Sequence, residues 1–300
     1  MKRRAGLVAA LERAGIRPDR RFGQNFLYDE AALARIAGLA VPVPGAAVVE
    51  VGLGAGTLSR ALLERLGPDG CLVGYELDRR LEPLLLEIAR DEPAFHPVIQ
   101  DALVADPAAD LAAHGCGGEA ACVSNLPYYL TTELILKALS CWPALWSSLT
   151  LMVQSEVVQR LLAGPGDSRY GPLAVMVRSY GEGRRVFDLP PHLFYPSPAV
   201  RSTVVQLLPK PDGGPAATLL HRDGGVWLRA LEALFAQRRR QLLPQLRELG
   251  VAADRIAACR IRLEERGVDP RSRASELSPD LLADLTVMSD LWTRYAKMTR

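Results

Sequence analysis

In this chain, three carboxylates and one amide each stand just after a short apolar run. The runs are "AAVVEVGLGAG" (46–56), "CLVGYELD" (71–78), "HPVIQDAL" (96–103) and "ACVSNLPYY" (121–129). Glycines at 52, 54 and 56 let the backbone turn tightly and approach a ligand with no Cβ in the way. A dinucleotide fingerprint needs G-x-G-x-x-G, but position 57 is Thr, and the Gly-Lys-Ser/Thr of a phosphate loop is absent. A nicotinamide oxidoreductase fails on that missing glycine. Glu50, just before the glycines, makes the turn acidic, which suits a cationic ligand better than a pyrophosphate. Glu76 lies 22 residues after Gly54, where an acid can accept both hydroxyls of a ribose. A solvated strand-end acid is the plain alternative, and the upstream glycines favour the ribose. Asp101 is placed to accept the exocyclic amine of an adenine. Acids after three successive runs, with no phosphate-binding lysine, point to S-adenosylmethionine: its amine and sulfonium are cationic, its ribose offers two donors, and it has no phosphate.

The fourth run delivers "SNLPYY" to the same edge. Taken alone it reads equally as a turn, since Asn and Pro are turn residues. Beside the acids it suits an amine methyltransferase. The nucleophile there is a nitrogen whose lone pair is delocalised into an aromatic ring, and it must be held in line with the sulfonium methyl. The Asn125 side-chain oxygen and the Leu126 carbonyl can accept hydrogen bonds from that amine. Pro127 fixes the turn so that a carbonyl faces the ligand, and Tyr128 can stack on a planar base. No strong general base is required, because the amine loses its proton after it becomes cationic.

These residues need strands to present them. Helical spacing at 31–43, 57–67, 79–91 and 131–140 alternates with strand-like runs at 46–52, 71–78, 96–103, 121–125 and 148–154. That alternation predicts an α/β fold with an open, mostly parallel sheet, whose ligands sit beyond the carboxyl ends of the strands. "KPDGGPAATLLHRDGG" (210–225) reads as a linker, and 226–249 and 251–266 read as helices. The expected division is residues 1–208, a Rossmann-like domain with a basic N-terminal segment, and 209–300, a smaller all-α domain.

The 300 residues carry a net charge of +2, but residues 200–300 hold 17 Lys and Arg against 12 Asp and Glu. A basic C-terminal third fits an anionic macromolecular partner, or equally a solvated surface. "QRRRQ" (237–241) is expected on a helix face, and Arg247, Arg255, Arg260 and Arg262 extend the basic character without spacing that shows a shared face. "KRR" (2–4) and "RPDRRFGQ" (17–24) are expected to contact RNA phosphate. Trp142 and Trp146 are expected in the core, and His192 in a loop. Five cysteines without CxxC spacing and four histidines argue against a zinc site or a disulfide framework. No apolar run is long enough for a membrane helix, and the N-terminus lacks a signal-peptide core. The expectation is a soluble, cytoplasmic protein without metal.

"FGQNFL" (22–27), "EVGLGAGTLS", "YELD", "QDAL", "SNLPYYLTTELI", "VQSEVVQRL" (153–161) and "FYPSPAVRSTVV" (194–205) stand in an order that resembles the ribosomal RNA adenine N6-dimethyltransferase family. These motifs cover residues 16 to about 208, and "LFAQRRRQLLPQL" (234–246) resembles the start of the family's helical C-terminal domain. Within the family the chain resembles the housekeeping small-subunit branch. The resemblance implies a Rossmann-like S-adenosylmethionine-dependent methyltransferase domain followed by an RNA-binding helical domain. It implies that Asn25 and Leu27 close over the cofactor, Gly52 and Gly54 pass beneath its methionine part, Glu76 holds the ribose and Asp101 the adenine. Asn125 would bridge cofactor and target amine, with Tyr128 and Phe194 sandwiching a flipped adenine. The implied substrate is a pair of adjacent adenosines in the 3′-terminal hairpin loop of small-subunit rRNA within a pre-30S particle. Each adenosine would receive two methyls from a monomeric enzyme that also serves subunit biogenesis. Loop bases are already partly unstacked, which lowers the cost of extrusion. Leu53 stands where the family often has Pro, and Tyr129 where many members have Asn. Two further readings remain at this point: a large-subunit rRNA methyltransferase conferring antibiotic resistance, and a non-catalytic RNA-binding or assembly factor.

Overall fold

The structure is a computed structural model and describes residues 2–19, 23–125, 130–210 and 213–298. Its strands are β1 Phe26–Leu27, β2 Ala47–Val51, β3 Cys71–Glu76, β4 Phe95–Ile99, β5 Ala120–Asn125, β6 Trp146–Gln154, β7 Gly181–Leu189, β8 Phe194–Tyr195 and β9 Ser202–Pro209. Its helices begin with α1 Lys2–Arg13, α2 Glu30–Ala40, α3 Thr57–Leu66, α4 Glu82–Asp91, α5 Pro107–Ala113 and α6 Thr131–Cys141. They continue with α7 Ser155–Leu161, α8 Pro172–Tyr180, α9 Pro215–Phe235, α10 Leu242–Glu248, α11 Ala253–Glu265, α12 Pro279–Met288 and α13 Leu291–Lys297. The chain forms two compact units. One holds residues 1–135, 144–158 and 184–208, and the other 136–143, 159–183 and 209–300.

The main sheet has the order β4-β3-β2-β5-β6-β9-β7. β4 to β6 pair in parallel, and β9 joins β6 antiparallel. β2 is the first strand of this sheet, and the order reverses across it: β3 and β4 lie on one side, β5 on the other. Such a reversal opens a crevice at the carboxyl ends of the strands. The parallel strands are built for burial on both faces, with Val48, Val49, Leu72, Val73 and Val123 all fully buried. Helices then cover both faces. α2, for example, starts where the Asp29 carboxylate caps the Ala32 N–H at 2.9 Å and buries Leu33, Ile36, Ala37 and Ala40.

The parallel strands match the sequence-based expectation, but β7 and β9 were not anticipated. β7, "GEGRRVFDL", lies at the sheet's end and is largely half-exposed or exposed, so it shows no clean apolar alternation.

The proposed linker at 210–225 is corrected within its described residues, because Pro215–Phe235 is helical with a single break at Asp223. Asp223 leaves helical geometry, and its carboxylate caps the restart by accepting the Val226 N–H at 2.9 Å. Gly224 packs on the backbone of Ser140, and a Cβ there would fall 2.6 Å from it. Gly224 thus serves a close approach inside a core with Trp227, whose indole N–H meets Ser179 Oγ at 3.2 Å. The "QRRRQ" segment is likewise not a helix face. Residues 236–240 form the turn between α9 and α10. There Arg238 donates to the carbonyls of Tyr170 and Asp167. Trp146 is buried as expected, whereas Trp142 is half-buried and lies under the Lys137 ammonium.

Candidate active site

The crevice at the carboxyl ends of β2, β3, β4 and β5 is an open cleft. Asn25, Gly52, Gly54, Glu76, Asp101 and Asn125 all line it, with Phe26, Leu77, Leu130 and Leu134 as apolar wall. Residues separated by a hundred positions meet here because each follows, or closes over, a strand of one parallel sheet. No Lys or Arg is among the described residues that line the cleft.

The glycine turn is built on left-handed backbone. Gly52, Gly54 and Gly56 have φ of 80°, 56° and 73°. A Cβ on Gly54 would fall 2.9 Å from the Phe26 ring, so a side chain there is opposed by both conformation and space. Leu53, between the glycines, packs on Gly74 of β3, where a Cβ would meet it at 2.2 Å.

Glu76 is nearly buried, at 9% exposure. Its Oε2 accepts the Gly54 N–H at 2.7 Å and its Oε1 accepts the Asp78 N–H at 2.8 Å. Burial raises its pKa, and these two amide contacts oppose the rise. The Leu77 amide also contributes, and the carboxylate keeps acceptor capacity for a ligand. Asp101 is fixed the same way: Oδ1 accepts the Leu103 N–H at 2.9 Å, leaving Oδ2. Asn125 Nδ2 donates to the Asn25 carbonyl at 2.8 Å, so its Oδ1 is left as the acceptor. Ser124, next to it, anchors β5 to β2 by donating to the Val51 carbonyl at 2.5 Å.

A second set of contacts holds the segment over the cleft. Gln24 Nε2 donates to Asp78 Oδ2 at 2.7 Å, and Gln24 Oε1 accepts the Asp19 N–H at 2.8 Å. Burial alone would raise the Asp78 pKa, but hydrogen bonds from Arg80 and Gln24 outweigh it and hold the carboxyl below its usual range. Gln24, Phe26 and Leu77 were not singled out from sequence. Gln24 lies inside the quoted "FGQNFL", and Leu77 immediately follows the strand-end acid.

One expectation changes. Glu50 does not face the cleft: it is 1% exposed, and its Oε2 accepts the Ser59 hydroxyl at 2.7 Å. Burial pushes its pKa up to about 8. Strand alternation gives the reason, since neighbouring Val51 takes the cleft side. Leu27 and Phe194 do not line the cleft either. They are partners in the β1–β8 ladder and are buried in the core, at 2% and 3% exposure. Leu126, Pro127, Tyr128 and Tyr129 lie outside the described residues, as do Arg20, Arg21 and Phe22. His192 sits in a short 3₁₀ turn, where its backbone carbonyl accepts the Tyr28 hydroxyl at 2.5 Å.

The family model "Ribosomal RNA adenine dimethylase" matches residues 17–288. The chain is 39% identical over 280 residues to "Ribosomal RNA small subunit methyltransferase A" of Mesorhizobium japonicum, covering 92% of this chain and 95% of that one. It is 41% identical to the protein of the same name from Azorhizobium caulinodans, over 88% of this chain and 85% of that one. Among solved structures, a dimethyladenosine transferase from Plasmodium falciparum superimposes with a TM-score of 0.70 at 21% identity, covering 89% and 98% of the two chains. The 23S rRNA methyltransferase ErmE superimposes with a TM-score of 0.61 at 25% identity, covering 89% and 100%.

Proposed function

The chain belongs to the ribosomal RNA adenine dimethylase family, and on that premise we propose how its cleft serves an S-adenosylmethionine-dependent methyltransferase acting on small-subunit rRNA. The reaction is dimethylation of N6 on two adjacent adenosines in the 3′-terminal hairpin loop. The observation that carries this reading is the convergence of Glu76, Asp101 and Asn125 on one cleft that no described cation lines.

The residues present fit the cofactor. Glu76, fixed by backbone amides, offers its remaining acceptor capacity to two ribose hydroxyls. Asp101 offers Oδ2 to the adenine amine. Leu77, 46% exposed on the cleft wall, supplies an apolar face for the adenine ring. Gly52 and Gly54 let backbone run beneath the methionine part, and Asn25 closes above it. Leu27 and Phe194 are assigned a positioning role, holding the β1–β8 ladder behind Asn25 and Phe26. When bound, S-adenosylmethionine supplies a methyl on a cationic sulfonium.

Asn125 Oδ1 accepts from the target N–H₂, and the Leu126 carbonyl is assigned the second acceptor role. The Asn25 carbonyl fixes Asn125 through its Nδ2, so the accepting oxygen is oriented before the substrate arrives. Two such acceptors favour a pyramidal nitrogen with its lone pair directed at the methyl. Pro127 and Tyr128 are assigned the roles expected from the sequence, turn-forming and base-stacking. The carboxylates of Glu76 and Asp101 would keep the cleft favourable for a cationic ligand. The product cation then releases its proton to water.

The small-subunit reading is preferred over the large-subunit one. Relatives of about 40% identity over most of the chain carry the small-subunit name, while the large-subunit neighbour is 25% identical. We further propose a cytoplasmic monomer acting on a pre-30S particle, with residues 209–300 contributing to RNA binding. Among the described residues no helix is long and apolar enough to cross a membrane. Calorimetric titration with S-adenosylmethionine, followed by nucleoside analysis of treated small and large subunits, tests the reading. Cofactor binding and dimethyladenosine in small subunits alone are expected. Binding without methylation of either subunit would contradict it.

A further inference from the structure

Many arginines of the second unit have a guanidinium that is already engaged. Arg238 is tied to two carbonyls, Arg240 to Glu248, Arg262 to Glu265 and Arg266 to Asp284. Arg255 and Arg294 donate to carbonyls, and Arg222 lies over Trp292. These guanidinium groups are engaged within the protein. Arg247, Arg260 and Arg271 differ: all three are exposed and line one groove, with Pro244 and Ile256 in its wall. Among the described residues, none of their guanidinium groups meets a carboxylate, a carbonyl or a ring.

The convergence is built by the backbone. Pro244 and Arg247 lie within one turn of α10, and Ile256 and Arg260 are four apart on α11, so each pair shares a helix face. The Leu242 N–H donates to the Ser272 carbonyl at 2.9 Å and brings the 269–271 loop to the start of α10. Asp269 is the one acid among the described residues of the groove, and its Oδ1 accepts the Arg271 N–H at 2.8 Å. Three cations against one anion repel one another and add nothing to stability. Groups of this kind suit an external anion, and guanidinium forks match phosphate oxygens in pairs.

We propose that this groove binds the phosphodiester backbone of the rRNA substrate through Arg247, Arg260 and Arg271. The proposal rests on the rRNA-methyltransferase reading for its RNA, but not on the catalytic cleft. Contacts of this kind set affinity and register without reading sequence. Arg255 and Arg262, neighbours in sequence, take no part because their side chains are engaged elsewhere.

The test is rRNA binding by the full chain across a KCl series, comparing wild type, a triple Arg→Gln variant and a triple Arg→Lys variant at 247, 260 and 271. Loss of three phosphate contacts flattens the slope of log K against log salt by about 2 to 3. The expected result is that flattening in the Gln variant, a KM for subunits raised about tenfold, unchanged S-adenosylmethionine binding, and a slope largely restored by Lys. A Gln variant with wild-type slope and affinity overturns the groove assignment and leaves the methylation reading intact. Wild-type protein that methylates no rRNA, while the slope still depends on the three arginines, supports the groove and overturns the activity. Thermal stabilisation by inorganic phosphate that the Gln variant loses, with RNA slopes equal, would assign the groove to a free anion and overturn the proposal.

Discussion

The acidic cleft of the first unit and the arginine groove of the second treat charge in opposite ways. In the cleft, Glu76 and Asp101 are each held by backbone amides before any ligand arrives. In the groove, Arg247, Arg260 and Arg271 have no protein partner among the described residues. A small ligand of fixed shape rewards fixed acceptors, because no side-chain ordering remains to be done on binding. A polymer with repeating phosphates tolerates mobile cations and gains mainly from released counterions. The contrast explains why binding in the cleft should depend on geometry and binding in the groove on ionic strength.

Substitutions can sharpen or break this contrast. Asn125→Ala should have the largest effect, lowering kcat by about 100-fold or more, since it removes a preorganised acceptor at the reacting amine. Single-turnover kinetics would measure it, and a KM effect alone would mean Asn125 only contacts ground-state substrate. Glu76→Ala should weaken S-adenosylmethionine binding by about 30- to 150-fold, the equivalent of roughly 2–3 kcal/mol for hydrogen bonds to a charged group. Calorimetry reads this directly, and an unchanged Kd would remove Glu76 from the ribose site.

Glu50→Gln probes the buried acid that the cleft does not use. Burial pushes the Glu50 pKa from its ordinary 4.5 up to about 8, so wild type binds the extra proton in the native state. Its contribution is complete below pH 4.5 and is lost as pH rises toward 8, at up to about 1.4 kcal/mol per pH unit. Glu50→Gln should therefore flatten the fall in stability between pH 5 and 8, as read by denaturant melts. Equal slopes would show that Glu50 is ionised in the folded protein. Gln24→Ala should have the smallest effect, about 1 kcal/mol or fivefold in cofactor dissociation rate, because it loosens only the segment over the cleft. Stopped-flow release would detect it.

The parallel half of the sheet was legible because its strands are short β-branched runs separated by helical spacing. The site residues Glu76, Asp101 and Asn125 were legible because each ends such a run. Glu50 was misread because sequence gives its place on a strand but not which side of the sheet its neighbours turn to the ligand. Asp223 and Gly224 were misread because a capped kink with a close approach to Ser140 has the same composition as a linker. The arginines were illegible for a different reason: Arg238 and Arg239 are adjacent, yet engagement depends on carbonyls about seventy residues away at Tyr170 and Asp167. Only the folded chain separates engaged guanidinium groups from free ones.

The most direct test of the central claim is methyl transfer from labelled S-adenosylmethionine to unmethylated small ribosomal subunits, mapped by primer extension, with Asn125→Ala and large subunits in parallel. The account predicts dimethyladenosine at two adjacent positions in the 3′-terminal hairpin of the small subunit, and its loss in the variant. Label confined to large-subunit RNA, or equal labelling by wild type and variant, would contradict it.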